Sequence, residues 1–539
     1  MFEVGKDIYL YGGRVARRRD LERSRLRVVF GFVVWVLFTL FFAKTLYYGC
    51  IGTGKSGKAK IGGDWVITRA DIEDRNGVKL AKNVISGHVM VRPGAVKDID
   101  AVATKIHEVF PYKYSLSAAY DILKSKKFMY LKQYATDAER KQIKDAKLDG
   151  LEVEVKQMRR YPKHNLFAHV VGFVGKEGEG LEGAEKIFDS YLRENNDPLR
   201  LSLDARIQEQ FHTRLSEAVQ KYHAKGAMGM LMNSRTGEML AMVSLPDFDP
   251  ENVSAYPVEN RRFKQMRDVL EMGSVFKIFN TALAYENGIG GKYYVGKPYV
   301  LRTKSGRYVT TFHDVAKFDT PWMNVDEIMV HSCNVGSVQI ALQFPDGAQP
   351  EFFHRLHLDE KLDLDFGKTE YPIFPKKWGI TDVATVSFGH TVAVTPMHLL
   401  LGVNAVTNGG IYINPTIRKR DVGRISGSRV LSEEISNKLR HNMVRVVEET
   451  SGKLTRINGI KIGGKTGTAE KRVNGAIDKK RNMTTFVGIF PADAPQYIIM
   501  INLDEPQGLA ETGGWRTASQ NSVPTAGKIL DGILPLLFE

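Results

Sequence analysis

An uncharged apolar run occupies residues 28–43, with the sequence VVFGFVVWVLFTLFFA, and a lysine and two tyrosines follow it closely. Counted to Tyr48, the run has about the 20 residues that a helix needs to cross a bilayer. Lys44 can extend its side chain to the membrane interface, where tyrosines are also favoured. We therefore predict a membrane-spanning helix over residues 28–48.

Residues 1–27, which precede this run, are polar and contain eight Lys or Arg and four Asp or Glu. Cations before a span keep the amino terminus in the cytoplasm, so the rest of the chain is expected outside. A cleaved signal peptide is the alternative, but no small-x-small cleavage site follows the run. The pattern favours a retained single-pass anchor in the cytoplasmic (inner) membrane, with a periplasmic or extracellular carboxyl-terminal domain.

The spacing of apolar positions changes at about residue 196. Residues 49–195 combine a short strand at 65–68, an Asn-Gly hairpin turn and stretches with helical spacing, without a convergent set of catalytic side chains. After residue 196, a strand, an amphipathic helix and two strands joined by a tight turn follow in succession. We predict an α+β multi-domain chain with four regions: a cytoplasmic basic tail at 1–27, a transmembrane helix at 28–48, an elongated pedestal domain at 49–195 and a second domain at 196–539.

Composition narrows the possible functions. The 539 residues are 43% hydrophobic and 25% charged, which suits a globular protein of two or three domains. The net charge of +15 suits nucleic acid or an anionic membrane or wall, but an exported domain does not meet nucleic acid and the sequence has no motif for it. The two cysteines lie far apart and no zinc-ligand spacing is found, so we predict no metal and no cofactor.

The segment that begins at Ser274 is apolar on nearly every face as far as Tyr285, which is typical of a helix in the middle of a domain. Ser274 and Lys277 are three residues apart, so on a helix their side chains share one face. A neutral amine in that position can take the proton of a serine hydroxyl, and burial or a second cation lowers a lysine pKa toward neutrality. The alternative is a helix-capping serine beside a lysine that extends to the surface.

Two further motifs supply candidate partners. Ser332 and Asn334 lie on a predicted connection between two helices, where a hydroxyl can relay a proton and an amide can hold a peptide group. A turn or cap is the alternative for Ser332, and Ser519-Gln520-Asn521 matches the same pattern. We predict that residues 460–470 form an edge strand able to accept an extended peptide.

That strand carries the only Lys-Thr-Gly of the chain, Lys465-Thr466-Gly467, followed by Thr468. Its lysine and two threonine hydroxyls can bind a carboxylate. Lys465 is also the second cation that we expect to depress the pKa of Lys277. The alternative is a surface turn.

Ser-x-x-Lys, Ser-x-Asn and Lys-Thr-Gly, in this order, are the motif set of penicillin-binding proteins and class A β-lactamases. In an exported, anchored chain they resemble a class B penicillin-binding protein, most closely the division-specific (septal) type. Asn334 supports the septal type, since elongation-type relatives usually carry Asp there. Departures from the family pattern are Met272, where Pro is usual, and His390, where Tyr is common. The resemblance also includes the segments 69–81, 160–182, 236–242, 387–390 and 394–396.

The resemblance implies a dimerisation-type pedestal and a transpeptidase domain like the serine β-lactamases, with an antiparallel sheet flanked by helices and a helical subdomain. It implies a peptidoglycan D,D-transpeptidase that acts on stem peptides ending in D-Ala-D-Ala and is acylated by β-lactams. In the implied mechanism, Ser274 is the nucleophile and Lys277 its base, Ser332 and Lys465 pass a proton to the leaving D-Ala, and Asn334 orients the peptide. The resemblance further implies that Thr466, Gly467 and Thr468 bind the substrate.

Several rival functions remain open on the sequence. An elongation-type transpeptidase is one alternative, and a β-lactamase or D,D-carboxypeptidase would use the same site but release the acyl group. A catalytically modest division scaffold or a penicillin sensor is the rival from another class, although a tail of 27 residues is too short to fold as a signalling domain. No segment resembles a glycosyltransferase, so the expected partners are a membrane-embedded glycan polymerase and other division proteins.

Overall fold

The structure, a computed structural model, describes residues 31–32, 34–36, 38–39, 58–61, 64–67, 69–420, 425–473 and 476–538. The predicted basic tail at 1–27 and most of the predicted membrane helix at 28–48 lie outside the described residues. Within the described part of the chain, no helix combines the length and the apolar character needed to cross a membrane. The chain divides into two compact units, Met1–Thr68 with Arg193–Asn195, and Arg69–Leu192 with Asn196–Glu539.

The first unit contains an antiparallel pair of strands, β1 (Lys58–Ile61) and β2 (Asp64–Ile67), in which Lys58 lies opposite Ile67. β2 confirms the short strand that the sequence predicts at residues 65–68, and it begins one residue before the predicted start, at Asp64.

The second unit begins with a five-stranded sheet built around one long strand, β4. This strand pairs antiparallel with β3, β5 and β6, and β3 pairs parallel with β7. Three helices cover the sheet, and Ile106, Leu123 and Ile143 pack from them against strand residues such as Val89. The elements are β3 (Ile72–Glu73), β4 (Lys79–Val91), α1 (Ile99–Val109), α2 (Leu116–Lys124), β5 (Met129–Ala135), α3 (Asp137–Ala146), β6 (Leu151–Arg160), α4 (Ala168–Val171), α5 (Gly183–Ile187), α6 (Asp189–Glu194) and β7 (Leu199–Arg200).

A buried ionic cluster links Arg69, in the first segment of the resemblance, to Arg159 and Glu185. Arg69 Nε lies 2.5 Å from Glu185 Oε2, and Arg159 Nε lies 2.7 Å from Glu185 Oε1. All three side chains are almost completely buried, so removal of one partner would leave an uncompensated charge. Asp74 accepts hydrogen bonds from two backbone N–H groups of its own turn and, at 3.0 Å, from that of Ala205. These contacts explain why buried charged residues occur in a region for which the sequence predicts no catalytic side chains.

The remainder of the second unit is built on a five-stranded antiparallel sheet in the order β18-β19-β20-β8-β9. Its strands are β8 (Gly226–Asn233), β9 (Met239–Leu245), β18 (Gly463–Val473), β19 (Ala476–Phe490) and β20 (Tyr497–Asp504). Short strands between them are β10 (Lys292–Tyr294), β11 (Tyr299–Arg302), β12 (Tyr308–Phe312), β13 (Trp322–Asn324), β14 (Asp363–Leu364), β15 (Gly367–Lys368), β16 (Ile411–Tyr412) and β17 (Ser428–Arg429). The helices are α7 (Ala205–Lys221), α8 (Lys264–Arg267), α9 (Lys277–Glu286), α10 (Val325–Val330), α11 (Asn334–Ala341), α12 (Ala348–Arg355), α13 (Ile380–Val386), α14 (Pro396–Thr407), α15 (Glu433–Glu449) and α16 (Ser522–Leu537).

Helices cover both faces of this sheet. Leu231 and Ile499 point to one face, toward Phe211 of α7 and Ile529 of α16. Met230 and Met500, their neighbours in sequence, belong to the core on the other face, which includes α9 and α14. Because both faces are buried, β8 and β20 are apolar almost without interruption rather than alternating with polar residues. Each fully buried aliphatic or aromatic side chain contributes about 1.5–3 kcal/mol, so this core holds the neighbouring site rigidly.

Candidate active site

The turn that carries Ser274 differs from the prediction in its geometry. The sequence predicts a helix that begins at Ser274, whereas the structure has a 3₁₀ turn over Gly273–Phe276 and begins α9 only at Lys277. Gly273 has a φ of +55°, and a Cβ atom there would lie 2.7 Å from the carbonyl oxygen of Thr468. Gly389 has a φ of +83°, and its Cβ would lie 2.1 Å from the carbonyl oxygen of Gly273. Close backbone contact therefore fixes the turn before the nucleophile.

Replacing Gly389 with Ala is expected to destabilise the protein by about 1–3 kcal/mol, since the new Cβ meets backbone and the φ is strained. The matched control is Gly288→Ala, where φ is +65° but no atom lies within 4 Å of the added Cβ. The measurement is the free energy of unfolding of both variants. Equal losses in the two variants would show that the contact with Gly273 contributes nothing beyond the backbone strain.

Lys277 is only 1% exposed and stands at the centre of the site. Its Nζ lies 2.9 Å from Ser274 Oγ, 2.7 Å from Asn334 Oδ1, 2.7 Å from the carbonyl oxygen of Ser332 and 3.2 Å from Ser332 Oγ. The structure thus brings the Ser-x-x-Lys and Ser-x-Asn motifs together.

The partners of Lys277 constrain where its protons point. The Ser332 carbonyl oxygen and Asn334 Oδ1 are acceptors only, so each takes an N–H of the amine. A neutral amine has two N–H groups and one lone pair, which leaves the lone pair for a hydroxyl, and Ser274 Oγ–H is the nearer one. Burial lowers the pKa of Lys277 to about 8, against the opposing effects of Cys333 and Asp314. The neutral amine is therefore accessible at mildly alkaline pH.

Lys465 lies on the other side of Ser332. Its Nζ donates to Ser332 Oγ at 2.9 Å and to the carbonyl oxygen of Thr466 at 3.2 Å, and its side chain is completely buried. Burial, and after it the charge of Lys277, lowers the pKa of Lys465 well below its usual value. Of the two causes that the sequence offers for a lowered pKa of Lys277, burial is the leading one, and the contribution of Lys465 stays a prediction.

The predicted edge strand is confirmed, since β18 ends the sheet order and carries residues 463–473. Side chains alternate along a strand, so Lys465 and Gly467 are buried while Thr466 and Thr468 are half-exposed on the opposite face. Thr466 Oγ1 lies 2.9 Å from Ser451 Oγ, and Thr468 Oγ1 accepts from the Ala518 backbone N–H at 3.1 Å. The role of both hydroxyls in substrate binding stays a prediction.

Gly467 permits the strand to approach the nucleophile. A Cβ on Gly467 would lie 2.4 Å from the carbonyl oxygen of Met272, so any side chain there would push β18 away from the Ser274 turn. The second Ser-x-Asn match has another role, because Asn521 caps α16 by accepting from the Ser522 backbone N–H at 2.7 Å.

Sequence reasoning missed three residues that contact the motifs. Asp314 and His313 contact the turn after Ser332, and Ser451 contacts Thr466. None of them stands in a recurring motif, so only the fold could bring them to attention.

Comparison with known proteins agrees with this geometry. Residues 227–531 match the model of the penicillin-binding protein transpeptidase domain, and residues 66–205 match that of the penicillin-binding protein dimerisation domain. The chain is 31% identical over 543 residues to the probable peptidoglycan D,D-transpeptidase FtsI of Caulobacter vibrioides, covering 97% of this chain and 90% of the relative. It is 28% identical to the peptidoglycan D,D-transpeptidase FtsI of Escherichia coli, covering 87% of this chain and 83% of the relative.

Solved structures show the same fold. A peptidoglycan synthetase from Bifidobacterium adolescentis superposes with a TM-score of 0.64 at 18% identity, covering 87% of this chain and 95% of that one. The transpeptidase domain of penicillin-binding protein 3 from Burkholderia pseudomallei does so with a TM-score of 0.55 at 26% identity, covering 63% of this chain and 96% of that one. The predicted α+β fold with a dimerisation and a transpeptidase domain is thereby confirmed, and the chain belongs to the class B penicillin-binding proteins.

Proposed function

We propose that this protein is a peptidoglycan D,D-transpeptidase that cross-links stem peptides through an acyl-enzyme on Ser274. The observation that carries the proposal is the position of Lys277 Nζ, buried and 2.9 Å from Ser274 Oγ, with two acceptor-only oxygens occupying its N–H groups. The names of the FtsI relatives support the same activity.

In the first step, Ser274 Oγ attacks the carbonyl carbon of the penultimate D-Ala while its proton passes to the lone pair of Lys277 Nζ. The negative charge that develops on the carbonyl oxygen is stabilised by the backbone N–H groups of Ser274 and Thr468. Such a donor contributes about 3–4 kcal/mol in other acyl-transfer enzymes. Gly467 brings these two backbones close enough to act together.

In the second step, the bond to the terminal D-Ala breaks and the leaving nitrogen takes a proton. Ser332 Oγ supplies the path, because it lies 3.2 Å from Lys277 Nζ and 2.9 Å from Lys465 Nζ. The amine of a second stem peptide then attacks the acyl-enzyme and gives its proton to Lys277, which passes it to Ser274 Oγ as the ester bond breaks and the new amide forms. Thr466 and Thr468 hold the terminal carboxylate of the donor peptide on the exposed face of β18.

Replacing Lys465 with Ala is expected to slow acylation by a fluorescent penicillin about 10²- to 10⁴-fold at every pH, because the path through Ser332 is broken. The rise of the rate with pH should stay near pH 8, since burial sets the pKa of Lys277. The measurement is the second-order acylation rate constant between pH 6 and 10. A marked shift of that rise to higher pH would instead show that the charge of Lys465 lowers the pKa of Lys277.

The septal role and the membrane anchor are part of the proposal. Asn334 supports the septal type, and the apolar run at 28–48 with its arginine-rich tail supports a single-pass anchor in the cytoplasmic membrane. A membrane-embedded glycan polymerase and other division proteins are then the partners. An elongation-type enzyme is the nearest rival, and the position of the tagged protein in dividing cells distinguishes a septal enzyme from one of the side wall.

The direct test of the function is cross-linking by the full-length protein on lipid-linked precursor, with and without a glycan polymerase. Cross-linked dimers of stem peptides that disappear after penicillin treatment are the expected product. Release of D-Ala without cross-links would indicate a carboxypeptidase, and rapid turnover of penicillin a β-lactamase. An acylated but inactive protein would indicate a scaffold or sensor.

A further inference from the structure

The loop between β12 and β13 reaches the catalytic turn from a part of the chain that no motif marks. Asp314 in this loop accepts hydrogen bonds through Oδ1 from the backbone N–H groups of Asn334 and, at 3.3 Å, of Val335. Its other oxygen, Oδ2, accepts from the Cys333 thiol at 3.2 Å. A single carboxylate thus contacts three successive residues directly after Ser332.

The neighbouring residue His313 fixes the orientation of the Asn334 amide. The carbonyl oxygen of His313 accepts from Asn334 Nδ2 at 3.3 Å, so Oδ1 is the amide atom that faces Lys277 Nζ, at 2.7 Å. The two residues of the loop therefore hold Asn334 at its backbone and at its side chain.

The turn needs such support because of its backbone. Ser332 has a φ of +59°, in the left-handed region that L-residues with a side chain rarely adopt, and such a conformation persists only where the surroundings fix it. Cys333 adds one contact, since its Sγ accepts from the Gly336 backbone N–H at 3.1 Å at the start of α11. The loop itself is held by Phe312, which is buried and packs edge-on against Phe388.

We propose that Asp314 is the positioning residue of the catalytic turn, holding Ser332 and Asn334 so that Lys277 Nζ stays against Ser274 Oγ. This inference rests on the proposed acyl-enzyme function. Asp314 touches no reacting atom; it holds the turn through Cys333, Asn334 and Val335, and it acts on Lys277 through its charge.

The charge of Asp314 supplies a readout that separates positioning from simple structural support. Among the described residues, Asp314, Cys333 and Lys465 are the titratable groups that interact electrostatically with Lys277. Burial raises the pKa of the Cys333 thiol above its usual value, so this thiol is uncharged near the pH at which Lys277 titrates, whereas burial lowers the pKa of Lys465 well below its usual value. Asp314 is then the charge that opposes the effect of burial and raises the pKa of Lys277.

The test is Asp314→Asn in the full-length protein, assayed by the second-order rate of acylation by fluorescent penicillin between pH 6 and 10. The rate at its maximum is expected to fall about 10- to 100-fold as the turn is displaced. The rise of the rate with pH is expected at lower pH, since loss of a negative charge lowers the pKa of Lys277. Asp319→Asn makes the same change at an exposed position of the same loop and should leave both the rate and the pH profile as in the wild type.

Asp314→Glu keeps the charge but changes the reach of the carboxylate. We expect this variant to acylate more slowly with the pH profile of the wild type. If Asp314→Asn has the acylation rate and pH profile of the wild type, the inference is overturned. A slower rate with an unshifted pH profile would also overturn it, because Asp314 would then only support the structure of the turn. If the Asn variant does not fold, a wild-type rate in the Glu variant overturns the inference. The proposed function is judged separately, by whether Ser274→Ala is still acylated.

Discussion

Replacing Ser274 with Ala is expected to abolish covalent labelling by a fluorescent penicillin. In the proposed mechanism this hydroxyl is the nucleophile, and no other side chain of the Ser-x-x-Lys and Ser-x-Asn motifs can take its place because Ser332 Oγ is held by Lys277 and Lys465. The measurement is in-gel fluorescence together with the intact mass of the protein after exposure to penicillin, where the mass of the bound drug should be absent.

The matched control for this variant is Ser305→Ala, an exposed serine in the loop between β11 and β12, which should be labelled like the wild type. The thermal unfolding midpoint of the Ser274 variant should stay close to that of the wild type, which shows that the site is intact. Undiminished labelling of Ser274→Ala would remove this residue from the mechanism and with it the acyl-enzyme.

Replacing Lys277 with Arg is expected to slow acylation about 10²- to 10⁴-fold, which is the usual contribution of a general base. An arginine keeps the positive charge but stays protonated throughout the accessible pH range, so it cannot accept the proton of Ser274. The rise of the rate near pH 8, where Lys277 loses its proton in the wild type, is expected to disappear. The acylation rate constant as a function of pH checks both effects.

Lys304→Arg, at an exposed position of the β11–β12 loop, is the control for the substitution itself and should have no effect. A Lys277→Arg protein that acylates at nearly the wild-type rate would show that the lysine supplies charge rather than a base. Retained binding of a non-covalent stem-peptide analogue would show that any loss of rate comes from chemistry rather than from a collapsed site.

The sequence could predict that Ser274 and Lys277 lie together because their motif fixes its own local geometry. Ser274 and Lys277 are three residues apart, and that spacing brings their side chains together on a 3₁₀ turn as it does on an α-helix. The edge position of residues 460–470 also followed from local signals, since a glycine-rich strand next to two apolar strands suits the border of a sheet.

The remaining features depend on contacts between distant segments. Asp314 and Ser451 meet the motifs only after the chain has folded, and no local pattern marks either residue. The sequence offered both burial and a second cation as causes of a lowered pKa of Lys277 and could not rank them, because the extent of burial of two lysines depends on helices and strands far away in the chain. The start of α9 differs from the prediction because the contact of Gly273 with β18 and Gly389 decides the backbone there.

The close packing of backbone around Ser274 limits which substitutions can give resistance to inhibitors. Met272, Gly273, Gly389 and Gly467 fix the nucleophile through main-chain contacts, which depend little on the side chains that line the cleft. Substitutions along the cleft can therefore alter which drugs fit while the hydroxyl keeps its place and its reactivity. Selection for resistance then has freedom at the walls of the site and almost none at the three glycines, Gly273, Gly389 and Gly467.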